Sequence, residues 1–143
     1  MLFSSASFGT LTLPNRLVRS ATAERMADSH GRPTDALIRL YRRLARGGVG
    51  LIISGHMYVH PSGKCHPEMT GIYSDDLIPD LKKLAQAVHD EGGKLVAQIN
   101  HGGMQCSTEA VDETVAPSAI SADFLKQPAR ELTVEEIDAL IGA

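Results

Sequence analysis

Apolar and polar positions alternate loosely from Phe3 to Leu13, and Gly9 followed by Pro14-Asn15 makes this stretch a short hairpin closed by a turn. Leu17-Val18 opens a first core strand that runs to about Ala21. A polar segment from Glu24 to Pro33 leads to Thr34 or Asp35, either of which can cap a helix. In that helix Leu37, Leu40, Tyr41 and Leu44 share one face, and Arg39, Arg42, Arg43 and Arg46 lie mostly on the other, a solvated one. Gly47-Gly48 ends it, with basic residues in the last turns where the helix dipole favours them. Val49 to Ser54 is then almost continuously apolar, as expected of a strand covered on both faces.

A long loop with Pro61, Gly63, Pro67 and Gly71 follows. Ser74-Asp75-Asp76 caps a second helix through His89, with Leu77, Leu81, Leu84, Ala85 and Val88 at helical spacing. His89 reads there as a packing or capping residue near the helix C-terminus. Gly92-Gly93 ends this helix, and Lys94 to Asn100 is the third strand. After another long loop, Thr133-Val-Glu-Glu136 fits a capping box opening a third helix, in which Ile137, Leu140 and Ile141 would face a core. The order β-α-β-α-β-loop-α predicts parallel strands joined by right-handed crossovers. Long loops leave the carboxyl ends of the strands while tight glycine returns close the other end, so function is expected at the carboxyl-end face. Three such strands leave sheet edges and apolar faces to be covered by further sequence or by another chain.

Length and charge narrow this picture. The 143 residues fit one domain or part of a larger one, and a net charge of −3 without a basic stripe gives no footprint for nucleic acid. No apolar run is long enough to span a bilayer, and Met1-Leu-Phe-Ser-Ser lacks the charged n-region of a secretory signal. Cys65 and Cys106 stand far apart in the sequence, in predicted loops, so a reduced, cytoplasmic protein is expected. His56, His60, Cys65 and His66 are metal-ligating types, but Pro61 and Gly63 place them in a loop, and adjacent Cys65 and His66 suit one tetrahedral ion poorly. No metal site is expected from them. Met57, Met69 and Met104 read as loop packing. There is no GxGxxG or Walker pattern, which weighs against a small open-sheet nucleotide-binding protein.

Several segments, in order, resemble the old yellow enzyme family of NADH:flavin oxidoreductases and ene-reductases. They are Leu2-Phe3, Leu11-Thr-Leu-Pro-Asn-Arg-Leu-Val18, Gly50-Leu-Ile-Ile-Ser54, Gly71-Ile-Tyr73, Val88-His89 and Gln98-Ile-Asn-His101-Gly. Ala116-Pro-Ser-Ala-Ile120 and Leu132-Thr-Val-Glu-Glu136 complete the set. No single segment is diagnostic; the ordered set over nearly the whole chain makes the resemblance strong. The resemblance implies an α/β fold, a partial (β/α)8 TIM barrel made of the N-terminal hairpin and the first three β/α units. Residues 1–143 would then be the incomplete N-terminal part of an FMN-binding oxidoreductase domain.

By the same resemblance, Ser20, Ala21, Thr22 and Ala23 form the loop that lies along the flavin. Relatives often carry Pro before, and Thr or Cys at, the position of Ala23, whose methyl offers no hydroxyl or thiol to tune the ring. His56 stands where a small residue usually offers its backbone N–H to the ring, and Gln98 matches the glutamine that hydrogen-bonds the pyrimidine edge. A primary amide suits that edge because it donates and accepts at once. His101 follows at the family spacing and would help shape the pocket, whereas Arg25 is assigned no role.

The complete enzyme would use FMN, with NAD(P)H as reductant, to reduce an activated alkene or similar acceptor. The substrate-gripping His/Asn pair, the proton-donating tyrosine and the phosphate-binding loops of such enzymes follow strand four and later strands, so the catalytic residues are not assigned and the isolated chain is expected to be inactive. The alternative is a non-enzymatic half-barrel-like module that self-associates through uncovered strand edges or pairs with a second polypeptide.

Overall fold

The computed structural model describes residues 1–119, 121 and 127–143. Ile120, the last residue of the Ala116–Ile120 run, lies outside the described residues. The hairpin forms from β1 (Ala6–Phe8) and β2 (Leu11–Leu13), antiparallel, with Phe8 opposite Leu11 across the turn. Asn15 ties its exit to the next layer: its side-chain oxygen accepts from the Leu17 amide at 3.0 Å, and its side-chain nitrogen donates to the Gly48 carbonyl at 2.8 Å.

β3 (Val18–Arg19) then pairs in parallel with β4 (Leu51–Tyr58), which pairs in parallel with β6 (Leu95–Asn100) on its other edge. The parallel order read from the sequence is therefore the order of the sheet. β4 runs four residues beyond the expected end at Ser54, through Gly55, His56, Met57 and Tyr58. The mixture of glycine, histidine and aromatic residues hid this extension, because the apolar run that marks the strand stops at Ile53. β5 (Thr70–Gly71), read from the sequence as loop, pairs in parallel with Met57 and Tyr58 on the edge that β3 has left. A further short parallel pair, β7 (Val115–Ala116) with β8 (Arg130–Glu131), was also not legible. Two-residue strands carry too little periodicity to stand out.

The crossovers are α1 (Asp35–Arg46) and α2 (Ile78–His89). Thr34 caps α1 by accepting from the Leu37 amide, and a single 3-10 turn capped by Ser74 leads into α2. Both helices cover one face of the sheet. Leu37, Tyr41 and Ala45 of α1 meet Leu84 and Val88 of α2 over Ile52 and Met57 of β4. Residues 52 and 57 share this face although an odd spacing separates them. The β4–β6 register shifts between Ile53 and His56, so one extra residue in β4 inverts the alternation. The opposite face is open, with Val18 47% and Val96 43% exposed; on the helix side, Ile99 near the free end of β6, in register with Met57, is 66% exposed.

α3 (Val134–Ile141) begins with the capping box expected at Thr133, whose hydroxyl accepts from the Glu136 amide while Glu136 accepts from the Thr133 amide. Its apolar face does not behave as the sequence suggested. Ile141 is 79% exposed and no residue of the helix is buried, because no layer among the described residues lies against it.

The Arg130 guanidinium, then the Thr133 amide, holds the Glu136 carboxyl down from its ordinary 4.5 to about 2. A carboxylate favoured in the folded state contributes fully above the ordinary value and is lost as pH falls through the lowered one. The cap of α3 is therefore expected to open between pH 4.5 and about 2. Side-chain carboxyl NMR shifts of Glu136 followed against pH check this, and a midpoint at or above the ordinary value would refute it.

Candidate functional site

The carboxyl ends of β3, β4 and β6 bring the sequence-assigned residues to one end of one sheet. Ser20 to Ala23 follow β3 directly; Ser20, Thr22 and Ala23 are exposed and Ala21 is half-buried. His56 and Gln98 sit in register across β4 and β6. Leu95 packs against the helices, so strand alternation turns Val96 and Gln98 to the open face. Gln98 is exposed there, and its backbone N–H donates to the buried Ser54 hydroxyl at 3.0 Å. That hydroxyl donates in turn to the Gly55 carbonyl at 2.7 Å. The Ser54 side chain thus fills the register shift and fixes the backbone from which Gln98 projects.

The loop after β3 is held by a polar network that gave no signal in the sequence. Arg19 faces the helix side and pairs with the Glu24 carboxylate at 2.9 Å, with the two side chains only 18% and 7% exposed. The Tyr41 hydroxyl donates to the same oxygen, Glu24 Oε1, at 2.8 Å and accepts the Gly55 N–H at 3.0 Å. Burial, more than the neighbouring carboxylate, pushes the Tyr41 hydroxyl well above its ordinary range, so it remains a donor at any physiological pH. Gly55 is fixed by close approach, since a Cβ there would collide with the Glu24 carboxylate and stand 2.6 Å from the Thr22 carbonyl oxygen. Glu24 of the loop and one residue from each of β3, α1 and β4 therefore clamp the Ser20–Ala23 segment against the sheet. Arg25, just beyond, takes a left-handed φ of 53°, costly for a side chain with a Cβ, and its guanidinium lies 3.6 Å from Glu68.

The His56 side chain turns into the loop cluster, its ring 5.6 Å from that of buried His66. Among the described residues neither ring nitrogen of His66, nor Nε2 of His56, has a hydrogen-bond partner, and the free space beside them is about 10 Å³. Burial first, then the charge of Arg25, lowers the His66 pKa, so this imidazole is held neutral. Among the described residues no three or more His, Cys, Asp or Glu side chains gather where they could hold a metal ion. His101 bonds through Nε2 to the Ser62 hydroxyl at 3.0 Å and through Nδ1 to the Gly103 amide at 3.1 Å, which links the loops after β4 and β6. A separate cavity of about 450 Å³ opens between α3 and these loops, where Arg130 is already paired with Glu113 and Glu136. No helix among the described residues is long and apolar enough to cross a membrane.

The sequence profile of the NADH:flavin oxidoreductase / NADH oxidase family matches residues 1–143. The chain is 38% identical to an NADH oxidase of Thermoanaerobacter brockii over 98% of its own length and 22% of that protein. It superposes on the old yellow enzyme homologue of Zymomonas mobilis with a TM-score of 0.86 at 32% identity, covering 99% of this chain and 42% of that one. On a 2-naphthoyl-CoA reductase in complex with 2-naphthoyl-CoA the TM-score is 0.93 at 30% identity, over 99% of this chain and 24% of the other. The chain thus spans between about a fifth and two-fifths of these relatives, and its hairpin, parallel strands and helices match the N-terminal part of their barrels. With a match along its whole length and the same local architecture, this chain belongs to the NADH:flavin oxidoreductase / NADH oxidase family.

Proposed function

We propose that this chain supplies the ring-edge part of an FMN site in an NAD(P)H-dependent flavin oxidoreductase of the old yellow enzyme type. The observation that carries this reading is the exposed amide of Gln98 on the open sheet face, at the same strand ends as the clamped Ser20–Ala23 loop. A primary amide matches a ring edge that alternates donors and acceptors, and an exposed backbone segment offers further groups beside it. Gln98 would pair with the pyrimidine edge, Ser20, Ala21, Thr22 and Ala23 would lie along the ring, and His56 would contribute its backbone. The donor set fits a flavin ring but includes no phosphate-binding residue. When bound, FMN supplies hydride transfer between NAD(P)H and an acceptor such as an activated alkene. This chain's own part is to orient the ring and keep one edge of it hydrogen-bonded. A cytoplasmic setting, where NAD(P)H is available and Cys65 and Cys106 rest reduced, belongs to the same proposal.

Flavin fluorescence titration of the purified 143-residue chain tests it. Because the proposed contacts are all to the ring, riboflavin and FMN are expected to bind with equal affinity. Gln98→Ala should weaken both about tenfold, the worth of one well-made hydrogen bond. Affinity for neither flavin, or an affinity unmoved by Gln98→Ala, would sink the reading.

A second reading is favoured by the open sheet face: the chain pairs with another polypeptide, or with itself, through Val18, Val96 and the β6 edge at Ile99. Sedimentation velocity across a concentration range is expected to show association in the native chain. Val96→Lys should abolish it, since a buried, unpaired ammonium in such an interface is costly. A strictly monomeric native chain rejects this second reading.

A further inference from the structure

Cys65 and Cys106, far apart in sequence and read there as unrelated loop residues, are neighbours in the fold. Cys65 lies in the loop after β4 and Cys106 in the loop after β6, and the two loops are zipped together on either side of them. The Gly102 amide donates to the Gly63 carbonyl at 3.0 Å, and the Ser107 amide donates to the Cys65 carbonyl at 2.9 Å. Gly102 sits directly beside both thiols: a Cβ placed on it would run into the Cys65 and Cys106 sulfurs alike. The space they share exists because residue 102 has no side chain. Cys106 is buried, and its Sγ is 3.6 Å from the Ser62 carbonyl. Cys65 is half-buried, with Sγ 3.9 Å from both the Gly63 carbonyl and the Asn100 side-chain oxygen.

We propose that Cys65 and Cys106 form a reversible redox pair, with a low-molecular-weight disulfide such as glutathione disulfide as the oxidant. The neighbouring Cys106 thiol lowers the Cys65 pKa, while Cys65 and burial raise that of Cys106, so the more accessible sulfur is the readier of the two to ionise. The Cys65 thiolate attacks one sulfur of glutathione disulfide, forms a mixed disulfide and releases one glutathione thiol. Cys106, its proton passing to solvent, then attacks Cys65 Sγ and expels the second glutathione thiol. The balance is two protein thiols oxidised to one disulfide and one glutathione disulfide reduced to two thiols. Backbone bonds already hold the two loops together on either side of the thiols. The product covalently joins the loops after β4 and β6, next to His101. In a reducing compartment the pair rests as a dithiol and responds when the disulfide pool rises. This inference is independent of whether the chain binds a flavin.

The test is peptide mapping by mass spectrometry of the native, folded chain after incubation with glutathione disulfide. The expected result is loss of both free thiols and recovery of a peptide linked through Cys65 and Cys106, reversed by dithiothreitol. Cys106→Ser removes the resolving thiol and should instead trap glutathione on Cys65. If that variant does not fold, the map of the native chain carries the test alone. Two free thiols after treatment, a native chain that stops at the glutathione adduct, or a disulfide between two copies would each overturn the proposal.

Discussion

Glu24→Ala is expected to lower the unfolding free energy by about 3–5 kcal/mol, the scale of breaking a buried charge pair by removing one partner. Glu24 is the acceptor on which the loop after β3 is hung. Without it, Arg19 keeps its charge at 18% exposure with no carboxylate 2.9 Å away. The Tyr41 hydroxyl loses the acceptor to which it donates at 2.8 Å, and the Gly55 amide then rests on a hydroxyl that is no longer fixed. Glu24→Gln separates the two effects, because an amide oxygen can still accept from Tyr41 while the charge opposite Arg19 is gone. Urea unfolding monitored by circular dichroism measures both variants. A cost for Glu24→Ala below about 1 kcal/mol would mean that Arg19 reaches water and that the pair behaves as a surface one. The functional consequence follows the same path: Ser20 to Ala23 lie between Arg19 and Glu24, so releasing the clamp frees the segment proposed to lie along the flavin.

What the sequence made legible divides along physical lines. The crossover helices were readable because each carries a 3.6-residue apolar stripe; Thr34 and Thr133 cap their helices as their sequence neighbourhood implied, whereas Ser74 caps the 3-10 turn ahead of α2, whose own N-cap residue, Leu77, makes no side-chain cap. The parallel order followed from strand–helix alternation alone. The far half of β4 was not readable, since Ser54, Gly55 and His56 break the apolar run at the register shift, where the strand turns polar groups to a different face. Nor was the Arg19–Glu24–Tyr41–Gly55 network, whose members are spread over three elements and a loop and obey no local period. The nearness of Cys65 and Cys106 depends likewise on which loops the sheet order places side by side. Gln98 and Ser20–Ala23 came from the family resemblance, and the structure gathers them at one end of the sheet. The failed expectation for α3 was local in origin: its apolar face predicts a partner layer, and periodicity cannot say whether that layer lies in the same stretch of chain.

Leu84→Ala is expected to cost about 2–5 kcal/mol, the range for emptying a fully buried leucine site. Leu84 is 1% exposed and belongs to the cluster with Leu37, Tyr41, Ile52 and Val88, where both helices meet the sheet. Such a loss must be set against a total of about 5–15 kcal/mol for an ordinary domain. This chain belongs at the low end, because its sheet is covered on one face only and Val18 and Val96 remain in water on the other. The substitution should therefore leave little or no cooperative urea transition, where the native chain is expected to show one. Whatever covers the open face adds its binding free energy to the folded state alone. If a second copy does so, the urea midpoint of Leu84→Ala will rise with protein concentration; if the flavin does, it will rise with added riboflavin. A midpoint indifferent to both, together with a cost below about 1 kcal/mol, would mean that the one-sided core is stable by itself and that the open face contributes nothing to folding.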